Sequence, residues 1–330
     1  MAQRIIFPKK SEVALEDFTP PSVGAGEVAV KTLASLISIG TESTVLHQRY
    51  AEESHFADMF SFPQLQTGNQ AVGIIERVGD GVEGIKEGDR VFFRKAHASH
   101  WAAQASECAL IPSGMDISTA IWCGFAKIAF RAAQTVPFKL GEETLVVGAG
   151  PVGQMAVRWA LAAGMKRVVL CDLSEKRLSL APDRVETRLG SVKDQYGDLL
   201  ALSGGEGFSS IIDSTGNPDV FKDALSLAAV FGKVILLGDT GFPAKQRLTS
   251  DAMTKGVSII ATHEQLDRDG WSQPAVDALY FELAQAGSID ARGLITHTFA
   301  PSQYKEAYDI ACGRREEAVG VMFDWDLNNL

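Results

Sequence analysis

The chain has 330 residues, 46% of them hydrophobic and 22% charged, which is material for two domains with buried cores. It carries 41 acidic against 31 basic residues, a net charge of −10 with no basic run, so nucleic acid and anionic membrane are excluded as main partners. The first residues show no charged-then-apolar signal and the longer apolar runs are broken by Arg158 or by glycine, so a cytoplasmic protein without a membrane span is expected.

From Val28 to about Pro112, short apolar or alternating runs are punctuated by Gly-Asp, Gly-Glu and proline. Ala71 to Val78 is followed by Gly79-Asp80-Gly81, and Gly88-Asp89-Arg90 by Val91-Phe92-Phe93. This texture predicts a β-rich, partly closed domain. From about Ala126 to Thr262 strands and helices alternate, with strands predicted at Leu145 to Val147, Val168 to Cys171, Ser210 to Asp213, Lys233 to Leu237 and Val257 to Ala261, as in a parallel sheet. The remainder predicts a long helix over Gln273 to Ala286, a strand at Leu294 to Thr298, a helix over Tyr304 to Cys312 and a last strand, Ala318 to Asp324. It is expected to return to the first domain, so the segments are 1–125, 126–262 and 263–330. The four cysteines, Cys108, Cys123, Cys171 and Cys312, are scattered with no CxxC pair and read as reduced thiols.

Leu145 to Gly153, Leu-Val-Val-Gly-Ala-Gly-Pro-Val-Gly, runs from a strand into a helix, and the next apolar run ends in Asp172. Glycines at 148, 150 and 153 suit a tight turn, close backbone approach to a pyrophosphate and close helix–strand packing. The helix opening near Pro151 and Val152 offers its positive end to phosphates. A carboxylate at Asp172 accepts hydrogen bonds from the adenosine ribose and repels a 2′-phosphate; like charges about 4 Å apart near a surface cost roughly 4 kcal/mol. NAD(H) is therefore expected over NADP(H), with Lys176 and Arg177 close enough to soften the repulsion.

The order of these segments resembles the medium-chain dehydrogenase/reductase superfamily over essentially the whole chain. The similar stretches are Ala71-Val72-Gly73, Val78-Gly79, Gly88 to Val91, Cys123-Gly124, Asp213 with Gly216, Gly232-Lys233-Val234 and Leu294 to His297. The resemblance implies an α/β protein with a GroES-like β-rich catalytic domain and a Rossmann doubly wound parallel sheet. It also implies a homodimer and a small-molecule substrate, and adds Thr215, Gly216, Leu237 and Gly238 to the cofactor cleft. Zinc-dependent members hold a catalytic ion where this chain has Ser38, Asn69 and Cys123; Gln70 replaces their neighbouring Glu, and no four-cysteine lobe is present between Phe93 and Pro112. A hydroxyl and an amide are poor zinc donors, so no metal is expected.

Without a metal, side chains must stabilise charge on the substrate oxygen. The candidates by position are Ser38 and Asn69 as donors, Thr41 as a relay hydroxyl, Glu42 as an orienting carboxylate or base, and His263 as a general acid or base. His47, His97 and His100 lack a ligand spacing and read as surface or core. Phe56, Met59, Phe60, Phe62 and Trp101 offer an apolar wall or ordinary core. Ser35 to Glu42 and the tail from Gly293 to Trp325 are similar to the zinc-lacking bacteriochlorophyllide dehydrogenase branch. The leading reading is an NAD(H)-dependent, zinc-independent oxidoreductase acting on a secondary alcohol or ketone of a bulky or sugar-like molecule. An NAD(P)H-dependent enone or quinone reductase and a catalytically idle nucleotide-sensing protein remain open.

Overall fold

The structure is a computed structural model and describes residues 1–136, 138, 140–267 and 269–327. The other positions of the expected segments lie outside the described residues. The chain divides into two compact units: Met1–Arg49 with His55–Gly124 and the segment from Ser272 on, and Tyr50–Ser54 with Phe125–Trp271.

The first unit begins with an antiparallel pair that the sequence reading did not foresee, β1 (Ala2–Phe7) and β2 (Ala14–Phe18). Polar residues such as Gln3, Arg4, Glu16 and Asp17 interrupt the apolar pattern there and pair across the strands instead. Next come β3 (Glu27–Leu36), α1 (Ile39–Leu46), β4 (Leu65–Gln66), β5 (Ala71–Val78), β6 (Arg90–Phe93), β7 (His100–Gln104) and β8 (Ala109–Leu110). Every second residue of β3, from Val28 through Ala34, turns inward, the period-2 pattern of a half-buried strand. Val28, Val30, Ala71, Ile75, Val91, Phe93 and Ala103 form the core, with Trp101 packed against them. Trp101 is thus a core residue whose indole N–H donates to the Ala96 carbonyl, not part of an open apolar wall.

Helix α2 (Cys123–Thr135) leads into the second unit, which contains β9 (Glu143–Val147), α3 (Pro151–Ala162), β10 (Arg167–Asp172), β11 (Glu186–Leu189), β12 (Phe208–Asp213), α4 (Pro218–Leu227), β13 (Ala228–Leu236) and β14 (Ser258–Ala261). All six strands are parallel, in the order β11-β10-β9-β12-β13-β14. This is the doubly wound Rossmann arrangement, whose strand order reverses between β9 and β12 and opens a crevice at their carboxyl ends. The unit runs past the expected boundary at 262 to Trp271. Arg131, 1% exposed on α2, explains this: its guanidinium pairs with Asp267 and donates to the Trp271 carbonyl, binding that segment to the helix.

The returning segment adds α5 (Gln273–Gln285), β15 (Ile295–Phe299) and β16 (Gly320–Asp324) to the first unit. β16 pairs antiparallel with β3, Met322 opposite Leu36, and completes a seven-stranded sheet. The helix expected over Tyr304–Cys312 is α-helical at Tyr304–Tyr308 and continues as a π-helical turn, Asp309–Gly313. No helix among the described residues is long and apolar enough to cross a membrane.

Candidate functional site

In the second unit the loop after β9 fills the sheet's switch point. Gly148 has φ +98, and a Cβ on Gly153 would lie 1.8 Å from the Gly148 carbonyl oxygen, so helix α3 can sit against the strand only with glycine there. A Cβ on Gly150 would meet nothing within 4 Å, which leaves that stretch of backbone open to a ligand. Gly150 is the N-cap of α3 and Pro151 its first residue, with Val152 next. The Asp172 carboxylate, at the end of β10, accepts the Ala149 N–H at 2.6 Å and the Ser174 N–H at 2.8 Å. It is held against the glycine turn, with oxygen lone pairs left for ribose hydroxyls. Arg177 is half-buried, and its carbonyl accepts from Gln154, which in turn is held by Arg158.

A second loop set closes over the same crevice. The Asp213 Oδ1 accepts both the amide and the hydroxyl of Thr215, at 2.8 and 2.6 Å, while its carbonyl takes the amides of Leu237 and Gly238. The Ser214 hydroxyl donates to the Val147 carbonyl, and Gly216 and Gly238 pack at distances that exclude a Cβ. Burial pushes the Asp213 carboxyl up, against the Thr215 and Gly216 hydrogen bonds that favour its ionised form. Asp213 is the organiser of this loop set, a role its place in the sequence did not reveal. His263 lies just past the carboxyl end of the edge strand β14, where its Nδ1 accepts the Gln265 amide.

In the first unit, β3 pairs with β5, Ser35 opposite Ala71, and the Leu36 amide donates to the Gln70 carbonyl. This pairing carries Ser38 and Asn69 to one end of the sheet. Ser38 caps α1 with its backbone only, and its hydroxyl makes no cap hydrogen bond. Asn69 Oδ1 has no protein partner among the described residues. Thr41 is half-buried on the first turn of α1. Gln70 is fully enclosed, and a Cβ on Gly124 would lie 2.0 Å from its Oε1, so the Cys123-Gly124 pair abuts the same end. The Cys123 thiol donates to Asp277 Oδ1 at 3.2 Å, which also accepts from Gln273.

Glu42 differs from its neighbours in being 2% exposed and surrounded by donors. Its Oε1 accepts the Ser38 N–H at 2.7 Å, its Oε2 accepts the Thr67 and Tyr308 hydroxyls, and His97 Nε2 lies 3.2 Å from both oxygens. Burial pushes this carboxyl up, but the His97 ring beside it, together with the Tyr308 and Ser38 hydrogen bonds, holds it below the usual range. His97, expected to be surface or core, is fully buried with both ring nitrogens engaged. No sequence spacing links these groups, and Tyr308 lies 266 positions from Glu42. Among the apolar candidates, Phe56 is buried and stacks on Phe60, whereas Met59 is exposed.

Comparison with known proteins places these two units among dehydrogenases. Residues 24–142 match the family model for the alcohol dehydrogenase GroES-like domain, and residues 151–279 the model for zinc-binding dehydrogenase. The L-threonine 3-dehydrogenase of Marinomonas sp. (strain MWYL1) is 26% identical over 89% of this chain and 92% of its own length. That of Bacillus licheniformis is 30% identical, but the alignment spans only half of that protein and 53% of this chain. Among solved structures, the short chain alcohol dehydrogenase of E. coli CFT073 complexed with NADH superposes with a TM-score of 0.80 at 20% identity, covering 98% of this chain and 99% of that one.

Proposed function

The chain belongs to the alcohol-dehydrogenase-like superfamily of medium-chain dehydrogenases/reductases and is an oxidoreductase of that class; from that premise we propose a zinc-independent, NAD(H)-dependent enzyme that interconverts a secondary alcohol and a ketone. The carrying observation is the donor set. The three positions where the resemblance expects zinc ligands hold a hydroxyl, an amide and a thiol, and the thiol is already directed at Asp277. Gln70 places a neutral amide where those members have an acidic neighbour. One thiol with a hydroxyl and an amide does not fit a zinc ion.

When bound, the nicotinamide supplies or accepts the hydride. The protein's share is to steady the substrate oxygen and to move one proton. Ser38 Oγ and the Asn69 amide donate to that oxygen, and the half-buried Thr41 hydroxyl takes the alcohol proton while giving its own to solvent water. Glu42 orients and does not act as base, because both of its oxygens are occupied by protein donors. Asp172, fixed across the glycine turn, supports NAD(H) over NADP(H). Similarity of Ser35 to Glu42 and of the tail to the bacteriochlorophyllide dehydrogenase branch supports a bulky substrate. The partner in this reading is a second copy, joined through the open edge of β14, where Ile259 is 37% exposed.

The test is a titration of the protein with NADH and NADPH, followed by tryptophan quenching. NADH binds more tightly in this account, and Asp172→Asn narrows the preference by at least about ten-fold. Tighter NADPH binding by the unaltered protein would contradict it and move the enone-reductase reading to first place.

A further inference from the structure

A single chain of buried polar groups in the first unit ends at Ser38. It starts at Trp325, whose indole N–H donates to Ser35 Oγ at 2.9 Å; Ser35 Oγ lies 2.8 Å from His97 Nδ1, and His97 Nε2 faces Glu42, which takes the Ser38 N–H. Ser35 and His97 are fully buried, and Glu42, Tyr308 and Trp325 are no more than 5% exposed.

The chain has a direction. An ionised carboxylate can only accept, so the His97 Nε2 that faces Glu42 carries a ring proton; an indole nitrogen can only donate, so Ser35 Oγ accepts from Trp325 and still has its own hydroxyl proton to offer to His97 Nδ1. In the neutral ring Nδ1 is then the acceptor from Ser35, a tautomer fixed by the carboxylate at Nε2. The donor-only indole excludes a proton wire, because an indole N–H cannot be resupplied through the chain. What arrives at the other end is position: Glu42 reaches back to the amide of the residue that caps α1. That contact satisfies the Ser38 N–H, one of the orphan amides at the start of α1, and the Ser38 hydroxyl itself makes no cap hydrogen bond.

We propose that His97 is a positioning residue for the reaction: through Glu42 it fixes the backbone of Ser38 so that the hydroxyl is free to meet the substrate oxygen, while Trp325, through Ser35, holds the ring in place from its Nδ1 side. The proposal rests on the reading above, in which Ser38 steadies that oxygen.

The experiment compares His97→Gln, His97→Asn and Trp325→Phe in the full chain. A glutamine amide can present its N–H near the Nε2 position and so keep the bond to Glu42; an asparagine amide reaches only the Ser35 side. Three quantities are read: kcat and KM for a secondary alcohol, NADH affinity, and hydrogen exchange at the amides of residues 38–42 against those of β5 and β6. Removing an orienting group costs about ten-fold, so His97→Asn should lower kcat by at least that factor while NADH affinity is unchanged. His97→Gln should recover most of the loss, and Trp325→Phe should fall between them. Exchange should quicken at 38–42 in His97→Asn and not in β5 or β6. Equal kcat for the two His97 variants, unchanged exchange at Ser38, or exchange quickened evenly through the unit would overturn the proposal. Should the unaltered protein turn over no alcohol, the dehydrogenase reading fails, and the exchange arm still decides whether His97 holds Ser38.

Discussion

The Ser38 hydroxyl makes no cap hydrogen bond and Asn69 Oδ1 has no protein partner among the described residues, and turnover should depend on these two side chains more than on any charged residue nearby. Replacing either with alanine removes one preorganised donor and should lower kcat by roughly 10²-fold, with NADH affinity unchanged in the same preparation. An equal loss of NADH binding would mean that the substitution disturbs the fold instead. Legibility at this scale follows chain distance. Gly148, Gly150, Gly153 and Asp172 form a local pattern within one strand–helix–strand unit, and the structure brings them together, with the Asp172 carboxylate accepting the Ala149 amide inside the glycine turn. Glu42 was legible as a candidate but ambiguous as base or orienter. The groups that decide the matter, Thr67, His97 and Tyr308, come from three distant segments.

Among the elements, the long apolar strands of the second unit were readable from composition, whereas β11 was not. Its sequence, Glu-Thr-Arg-Leu, has no apolar run, and it is a strand because the β10 edge pairs with it, Val169 opposite Glu186. Likewise β1 and β2 hid behind alternating charge. The Glu42 carboxyl is held below its ordinary value of 4.5, so the folded state binds fewer protons than the unfolded chain across that window. Its stabilising contribution is complete above the unfolded value and is lost as pH falls through the lower folded one. The melting temperature of Glu42→Gln should therefore lie below that of the unaltered protein by a constant margin at neutral pH, and the margin should shrink on acidification below about pH 4.5. A margin that ignores pH would place the effect in packing, not in the charge.

Over the whole molecule, the doubly wound order of six parallel strands and the antiparallel sheet that the chain leaves and rejoins through β16 set out two supporting surfaces for chemistry. The second unit's sheet ends in an exposed strand, and nearby Val230 and Phe231 are 62% and 79% exposed. Ile259→Lys should convert a dimer to a monomer by light scattering with the melting temperature of the fold retained, since a charge on an open edge opposes strand addition; an unaltered mass would place the contact elsewhere. Hydride transfer without zinc is tested by elemental analysis of purified protein together with NAD-linked alcohol oxidation before and after chelator treatment. The account predicts no stoichiometric zinc and the same rate in both samples. One zinc per chain, with activity lost to the chelator and restored by the metal, would contradict it.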